Sequence, residues 1–245
     1  MLNLPLETKD SDDPEKYKFG ISPLHAYIRT MEMLLKISYR LSMKTPTWKV
    51  SKGNNGVKQR EIAIRSALKE QLGLRISEPL PGGGNSNSGN VARRFFLERD
   101  IVAQITGLDK SLLEKFSVML MLINSKVELN VDAYEVYAEE ARVLYNTLYS
   151  WYTLSPTVHK LLVHGAAIIK HSLLPIGMFS EEAGESRNKS IRKFRNGHAR
   201  KLSREVNLEL FFLKAPSDPV ISLKNKIPRK PSDLPLPESA KHLVL

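Results

Sequence analysis

Apolar positions recur at helical spacing along most of the chain, and the breaks between them carry recognisable stop signals. From Ser22-Pro23, a cap followed by a first-turn proline, Leu24, Ile28, Met31, Leu34, Leu35, Ile37 and Leu41 predict a long, largely buried helix that runs to the Lys44-Thr45-Pro46 break. A polar loop, Ser51 to Gly56, leads into a second amphipathic helix with Ile62, Ile64, Leu68 and Leu72, stopped at Gly73. After the flexible stretch 79–90, PLPGGGNSNSGN, helices are expected from Asn90 to Thr106, from Asp109 to about Asn124, and from Asn130 to Tyr149. The last of these carries Tyr134, Tyr137, Ala141, Leu144 and Leu148 on one face, the pattern of a core-facing stripe. Ser155-Pro156 opens another helix, expected to hold both His159 and His164, and Ser180 caps one beginning Glu181-Glu182, acids suited to the positive helix end.

No segment reads as a strand, so the expected fold class is mainly α. Residues 1–18 are polar and mostly acidic and are expected to be disordered, with Asp10, Asp12 and Asp13 solvated. After Leu213, prolines at 216, 219, 228, 231, 235 and 237 forbid long regular elements, so 215–245 is expected to be a disordered tail.

Composition changes the picture in two ways. The 245 residues include no cysteine, which removes a disulfide framework, a thiol nucleophile and any Cys-based zinc site that the chain could complete alone. The first residues lack the basic and apolar regions of a signal peptide and no apolar run reaches membrane-spanning length, so a soluble intracellular protein without a membrane partner is expected. Charge is local: Ser186 to Arg204 holds eight Lys/Arg and no Asp or Glu, and without those eight the formal +11 falls to +3 over the other 226 residues. A surface helix ordinarily mixes both signs, so a single-sign stretch of this length points to nucleic acid.

The histidines are a weaker signal alone. An H-x4-H pair lies within the range of zinc-ligand spacings, but on a regular helix its rings would sit roughly 140° apart. Two ordinary helix histidines explain the spacing as well. Glu185, a lone glutamate beside a charged stretch, is weaker still.

Read together, the words SPTVHKLLVHGAAIIKH and LLPIGMFSEEAGESRNKSIRKFRNGHARK resemble the catalytic subunit of the V(D)J recombinase and the Transib transposases related to it. In that family a histidine pair five apart precedes, by about twenty residues, a glutamate in an E-S-x-N-K context and a basic, aromatic-punctuated helix ending in A-R. Here the spacings are five, from His159 to His164, and 21, from His164 to Glu185. Gly89-Asn90-Val91-Ala92-Arg93-Arg94 resembles the family's G-N-x-A-R-[KR] element, and PLHAYIRTMEMLLKISYRL its insertion region, so the likeness covers roughly residues 20 to 225. Its motifs are specific within 155–204 and weak elsewhere.

The resemblance implies a DDE-type, two-metal DNA transesterase of RNase H-like fold with a large helical insertion. Residues 19–178 would be that insertion, 179–214 the final catalytic-type helix region. Glu185 matches the last metal-binding acid. Two Mg2+ or Mn2+ ions about 4 Å apart need several oxygen ligands, and the family's two catalytic aspartates have no counterpart in this chain. His159 and His164 match zinc ligands whose Cys-x-x-Cys partners are also missing, so a half-complete zinc site that retains no stoichiometric metal is expected. Asn90, Arg93, Arg94, Arg187, Lys189, Arg192, Lys193, Arg195, Arg200 and Arg204 would contact DNA, mainly through phosphates and without reading sequence.

The expectation is therefore the C-terminal part of a DNA transposase or recombinase, nuclear, inactive alone, with DNA, an upstream catalytic segment and a second copy of itself as partners. A non-catalytic DNA-binding remnant and a helical protein-interaction module are the alternatives.

Overall fold

A computed structural model describes residues 20–43, 55–78, 87–179 and 234–245. Five of the helices in these segments begin where a short polar side chain stands ready to accept a backbone N–H. Ser22 accepts from His25 and starts α1 (Pro23–Ser38), and Ser88 accepts from Val91 at the start of α3 (Gly89–Leu97). Asp109 accepts from Leu112 at 2.8 Å to open α5 (Lys110–Asn124). Asn130 accepts from Ala133 for α6 (Val131–Tyr149), and Ser155 from Val158 for α7 (Pro156–Val163). The remaining helices are α2 (Asn55–Leu72), α4 (Arg99–Thr106) and α8 (Gly165–His171). Gly73 ends α2 and Gly107 ends α4, each in the left-handed region, at φ 64° and 74°.

The architecture is mainly helical, as the periodicity predicts. Among the described residues the only β pairing is an isolated antiparallel bridge between Leu129 and Val244, and no helix is long and apolar enough to cross a membrane. Helix α1 is buried nearly all round because α3, α5 and α7 pack on it, and α6 closes the other side against α5, α7 and α8. Phe95, Phe96, Phe116, Met31, Tyr134 and Tyr145 are the largest fully buried side chains of one continuous core.

Four expectations are corrected by packing. The helix expected over Asn90–Thr106 breaks at Glu98 (φ −93°, ψ 33°), which lets α3 lie on α1 while α4 turns onto α5 and α2. The buried Ser117 hydroxyl of α5 donates to Phe96 O at the corner, satisfying a carbonyl the break exposes. The first helix stops at Ser38 rather than running to Lys44, and the Ser38 carbonyl is taken from outside the helix. Arg60 of α2 donates through Nε to Ser38 O at 2.7 Å and through Nη2 to Thr106 O at 3.1 Å, so one guanidinium caps α1 and α4 together. On α2, Ile64, Leu68 and Leu72 are buried but Ile62 faces solvent, and on α6 Tyr145 and Tyr149 are buried where Leu144 and Leu148 are only partly so.

The fourth correction concerns the end of the expected disordered tail. Residues 234–245 include a 3-10 helix, Glu238–Leu243, with Ala240 and Leu243 fully buried. The prolines do forbid a long element here, but a six-residue one suffices to seat two side chains. The expected disorder at 1–18, most of the 79–90 loop, and the expected helix over 180–204 lie outside the described residues.

Candidate functional site

The helix expected to carry both histidines is interrupted between them, and the interruption sets their geometry. Helix α7 ends at Val163, His164 sits at φ −110°, ψ 0°, and α8 starts at Gly165. Two features of Tyr134, which is fully buried on α6, fit this corner. Its hydroxyl donates to Leu161 O at 3.3 Å, the carbonyl that Gly165 would bond in an unbroken helix. Its ring also packs so close to Gly165 that a Cβ there would stand 2.8 Å from Cε1.

The consequence is that the rings of His159 and His164, expected on diverging faces, meet edge to face with centroids 5.4 Å apart. Two imidazoles on one tetrahedral zinc, with Zn–N of about 2.1 Å, would have centroids roughly 5 Å apart. The separation is therefore compatible with shared ligation, and equally with the aromatic contact it makes now. Among the described residues no group of three or more His, Asp or Glu side chains could hold a metal ion. The described residues thus bring two imidazoles into contact and place no third such ligand with them.

The second cluster is the 89–94 element, and most of it has a packing role. Gly89 lies against the Leu24 side chain, Ala92 is fully buried, and Asn90 is exposed. Arg93 stacks its guanidinium 5.4 Å from the centre of the Tyr27 ring, joining α3 to α1. Burial pushes the Tyr27 phenol up to about 12, partly offset by that guanidinium. Arg94 donates to Leu72 O at 2.6 Å, capping the C-terminal end of α2. Composition marks these arginines as basic and exposable. What it misses is that each holds a helix in place.

Glu185 and the cations Arg187, Lys189, Arg192, Lys193, Arg195, Arg200 and Arg204 lie outside the described residues. The chain leading to them is anchored: Ile176 and Gly177, in a 3-10 turn over Ile176–Phe179, are buried against the end of α5, with Gly177 against the carbonyls of Asn124 and Ser125. The flanking Leu173 is 95% exposed and Phe179 57%, which leaves apolar surface uncovered just before Glu185. No protein-family model matches the chain, and no curated protein matches it.

Proposed function

We propose that this chain corresponds to the C-terminal part of a DDE-type DNA transposase or recombinase, binding DNA and contributing Glu185 as the last metal-binding carboxylate of a two-metal strand-cleavage and strand-transfer site. The observation that carries the reading is the ordered set His159, His164, Glu185 and the single-sign cationic stretch behind it, at spacings of five and 21. The 5.4 Å approach of the two imidazoles is compatible with it, since a break in the helix brings together residues that a regular helix would set on diverging faces.

One carboxylate cannot clamp two divalent ions, so the chain alone is inactive and the other acids come from a partner segment. The metals would supply charge neutralisation at the phosphodiester; the chain's own part is to hold DNA and present Glu185. The two histidines await the remaining zinc ligands from the same segment, so elemental analysis of the isolated chain should find no stoichiometric zinc. The expected location is the nucleus, with Arg192 to Arg204 as an import signal that a fluorescent fusion would test.

The test combines binding and chemistry. The logarithm of DNA affinity should fall linearly with the logarithm of salt, by about 0.9 per phosphate neutralised, and reversing the charges of Arg192, Lys193 and Arg195 should abolish binding. Joined to a segment bearing two strand-borne aspartates and a Cys-x-x-Cys, the chain should nick DNA in Mg2+ or Mn2+, and Glu185→Gln should stop it. Equal cutting by Glu185→Gln would overturn the catalytic assignment, and a salt slope near zero would remove DNA altogether. Binding with no chemistry in any combination would leave a DNA-holding remnant, the reading favoured by the missing acids.

A further inference from the structure

Helix α1 buries its 16 residues except along one narrow line. Only His25, Arg29 and Lys36 are exposed on it, with Ile28 partly so. At 100° per residue these three positions fall within about 40° of one another, and they span roughly 17 Å along the axis. Arg40, just past the helix end, continues the line and donates through Nη1 to Lys36 O at 3.1 Å. The one acid on the line, Glu32, is 5% exposed: it accepts from Arg29 Nη1 at 3.1 Å and from Asn87 Nδ2 at 3.3 Å, which withdraws its charge from the surface. A solvated helix line ordinarily alternates sign to gain pairs four residues apart, whereas every exposed side chain of α1 is basic.

Charge is segregated across the described helices. Both α5 and α7 pack against α1 and against α6, and α3, α5 and α7 cover the rest of α1, so its open line looks away from α6. The exposed side chains of α6 include Asp132, Glu135, Glu139 and Glu140 and no Lys or Arg. Among the described residues, those in 20–107 hold eleven Lys/Arg against six Asp/Glu, and those in 108–179 hold six against seven. A polyanion therefore meets attraction on the α1 side and repulsion on the outer face of α6.

We propose that the open line of α1, Arg29 and Lys36 with His25 before them and Arg40 beyond, is a DNA-backbone surface additional to the cationic stretch at 186–204. It rests on the DNA-binding reading above and adds to it a place on the folded helices. The chemistry suits phosphate: Lys36 supplies a compact ammonium charge, and Arg29 and Arg40 supply planar guanidinium groups. The roughly 17 Å of helix that carries the exposed positions matches the rise of about five base pairs. A helix laid along the backbone in this way positions a duplex and reads no base.

Duplex binding by the intact chain, titrated against salt, tests it. Lys36→Gln should make the slope of log affinity against log salt shallower by about 0.9 and weaken binding about five- to tenfold at about 0.1 M salt; adding Arg40→Gln should bring the change in slope to about 1.8, with helix content by circular dichroism unchanged. Lys36→Arg should keep the parent slope. Glu135→Gln, on the outer face of α6, alters net charge by the same amount and should leave the slope as it is. The chain has no cysteine, so Lys36→Cys and Val136→Cys each carry a photocrosslinker at one known position. Position 36 should crosslink to the duplex, and position 136, exposed on α6, should not. Salt-sensitive binding whose slope is the same in the parent, Lys36→Gln and the double variant would overturn the α1 surface and leave the DNA reading standing, whereas no salt-sensitive binding by the parent would sink both. Equal and opposite changes in Lys36→Gln and Glu135→Gln would reduce the effect to net charge, and crosslinking from 136 as strong as from 36 would put the DNA elsewhere; either result overturns the proposal.

Discussion

Gly177 offers the sharpest test of how the segment before Glu185 is anchored. A methyl group added there would meet the backbone carbonyls of Asn124 and Ser125, with Asn124 C at 2.6 Å, and backbone at the end of a buried helix cannot move aside as a flexible side chain could. Gly177→Ala should therefore lift the Ile176–Phe179 turn from the end of α5. The loss is chiefly the burial of Ile176, now 7% exposed, which contributes about 2–3 kcal/mol. Against this, alanine restricts the unfolded chain and returns roughly 0.4–1 kcal/mol. The net destabilisation should be about 1–2.6 kcal/mol, or a Tm roughly 2–10 °C lower at this chain length. Thermal and urea unfolding followed by far-ultraviolet circular dichroism measure it. Gly73→Asn is the control: that glycine has φ 64° but no atom within 4 Å of a Cβ, and asparagine tolerates the left-handed region, so the change should be near zero. A Gly177→Ala protein as stable as the parent would refute the close-approach argument and the anchoring drawn from it.

Arg60→Met should cost about 2–3 kcal/mol by urea unfolding, because it removes the charge-assisted cap from both Ser38 O and Thr106 O while keeping most of the aliphatic packing. Thr30→Val should stabilise by roughly 1 kcal/mol, since Thr30 is fully buried and its hydroxyl has no hydrogen-bond partner among the described residues; loss of stability would show that a water or a carbonyl does satisfy it. Alkaline pH should unfold the protein cooperatively. Burial pushes the Tyr27 and Tyr137 phenols up to about 12 and raises Tyr39, Tyr134 and Tyr145 as well, so the folded state disfavours tyrosinate. That stability is fully present below the ordinary tyrosine value near 10 and is lost as pH climbs through about 12. Absorbance at 295 nm should rise together with loss of helix in this window, and early, independent titration of most tyrosines would contradict the burial.

Local chemistry made much of the fold legible in the sequence. A capping side chain accepts an N–H three residues away and a glycine at positive φ is a property of one residue, so the starts at Ser22, Asp109, Asn130 and Ser155 and the stop at Gly73 need no knowledge of the rest of the chain. Mainly α character followed from periodicity for the same reason. The candidate site was legible as residue types and spacings, which name Glu185, the histidines and the cationic stretch but assign no distance between them.

Tertiary structure decided what depends on residues far apart in sequence. Whether a helix runs on or turns at Glu98 rests on Ser117 waiting 21 residues later for the Phe96 carbonyl, and Tyr134 reaches 27 residues forward to Leu161 at the corner that brings the two imidazoles together. Arg93 and Arg94 read in the sequence only as a pair of cations, and the fold alone sets Tyr27 beside one and Leu72 O beside the other. The proline-rich end reads as a tail because no short-range signal says that Leu129 offers a backbone edge more than a hundred residues earlier. Propensity acts over three or four residues, whereas these contacts are chosen by the closure of a core, and only the folded chain brings their members together.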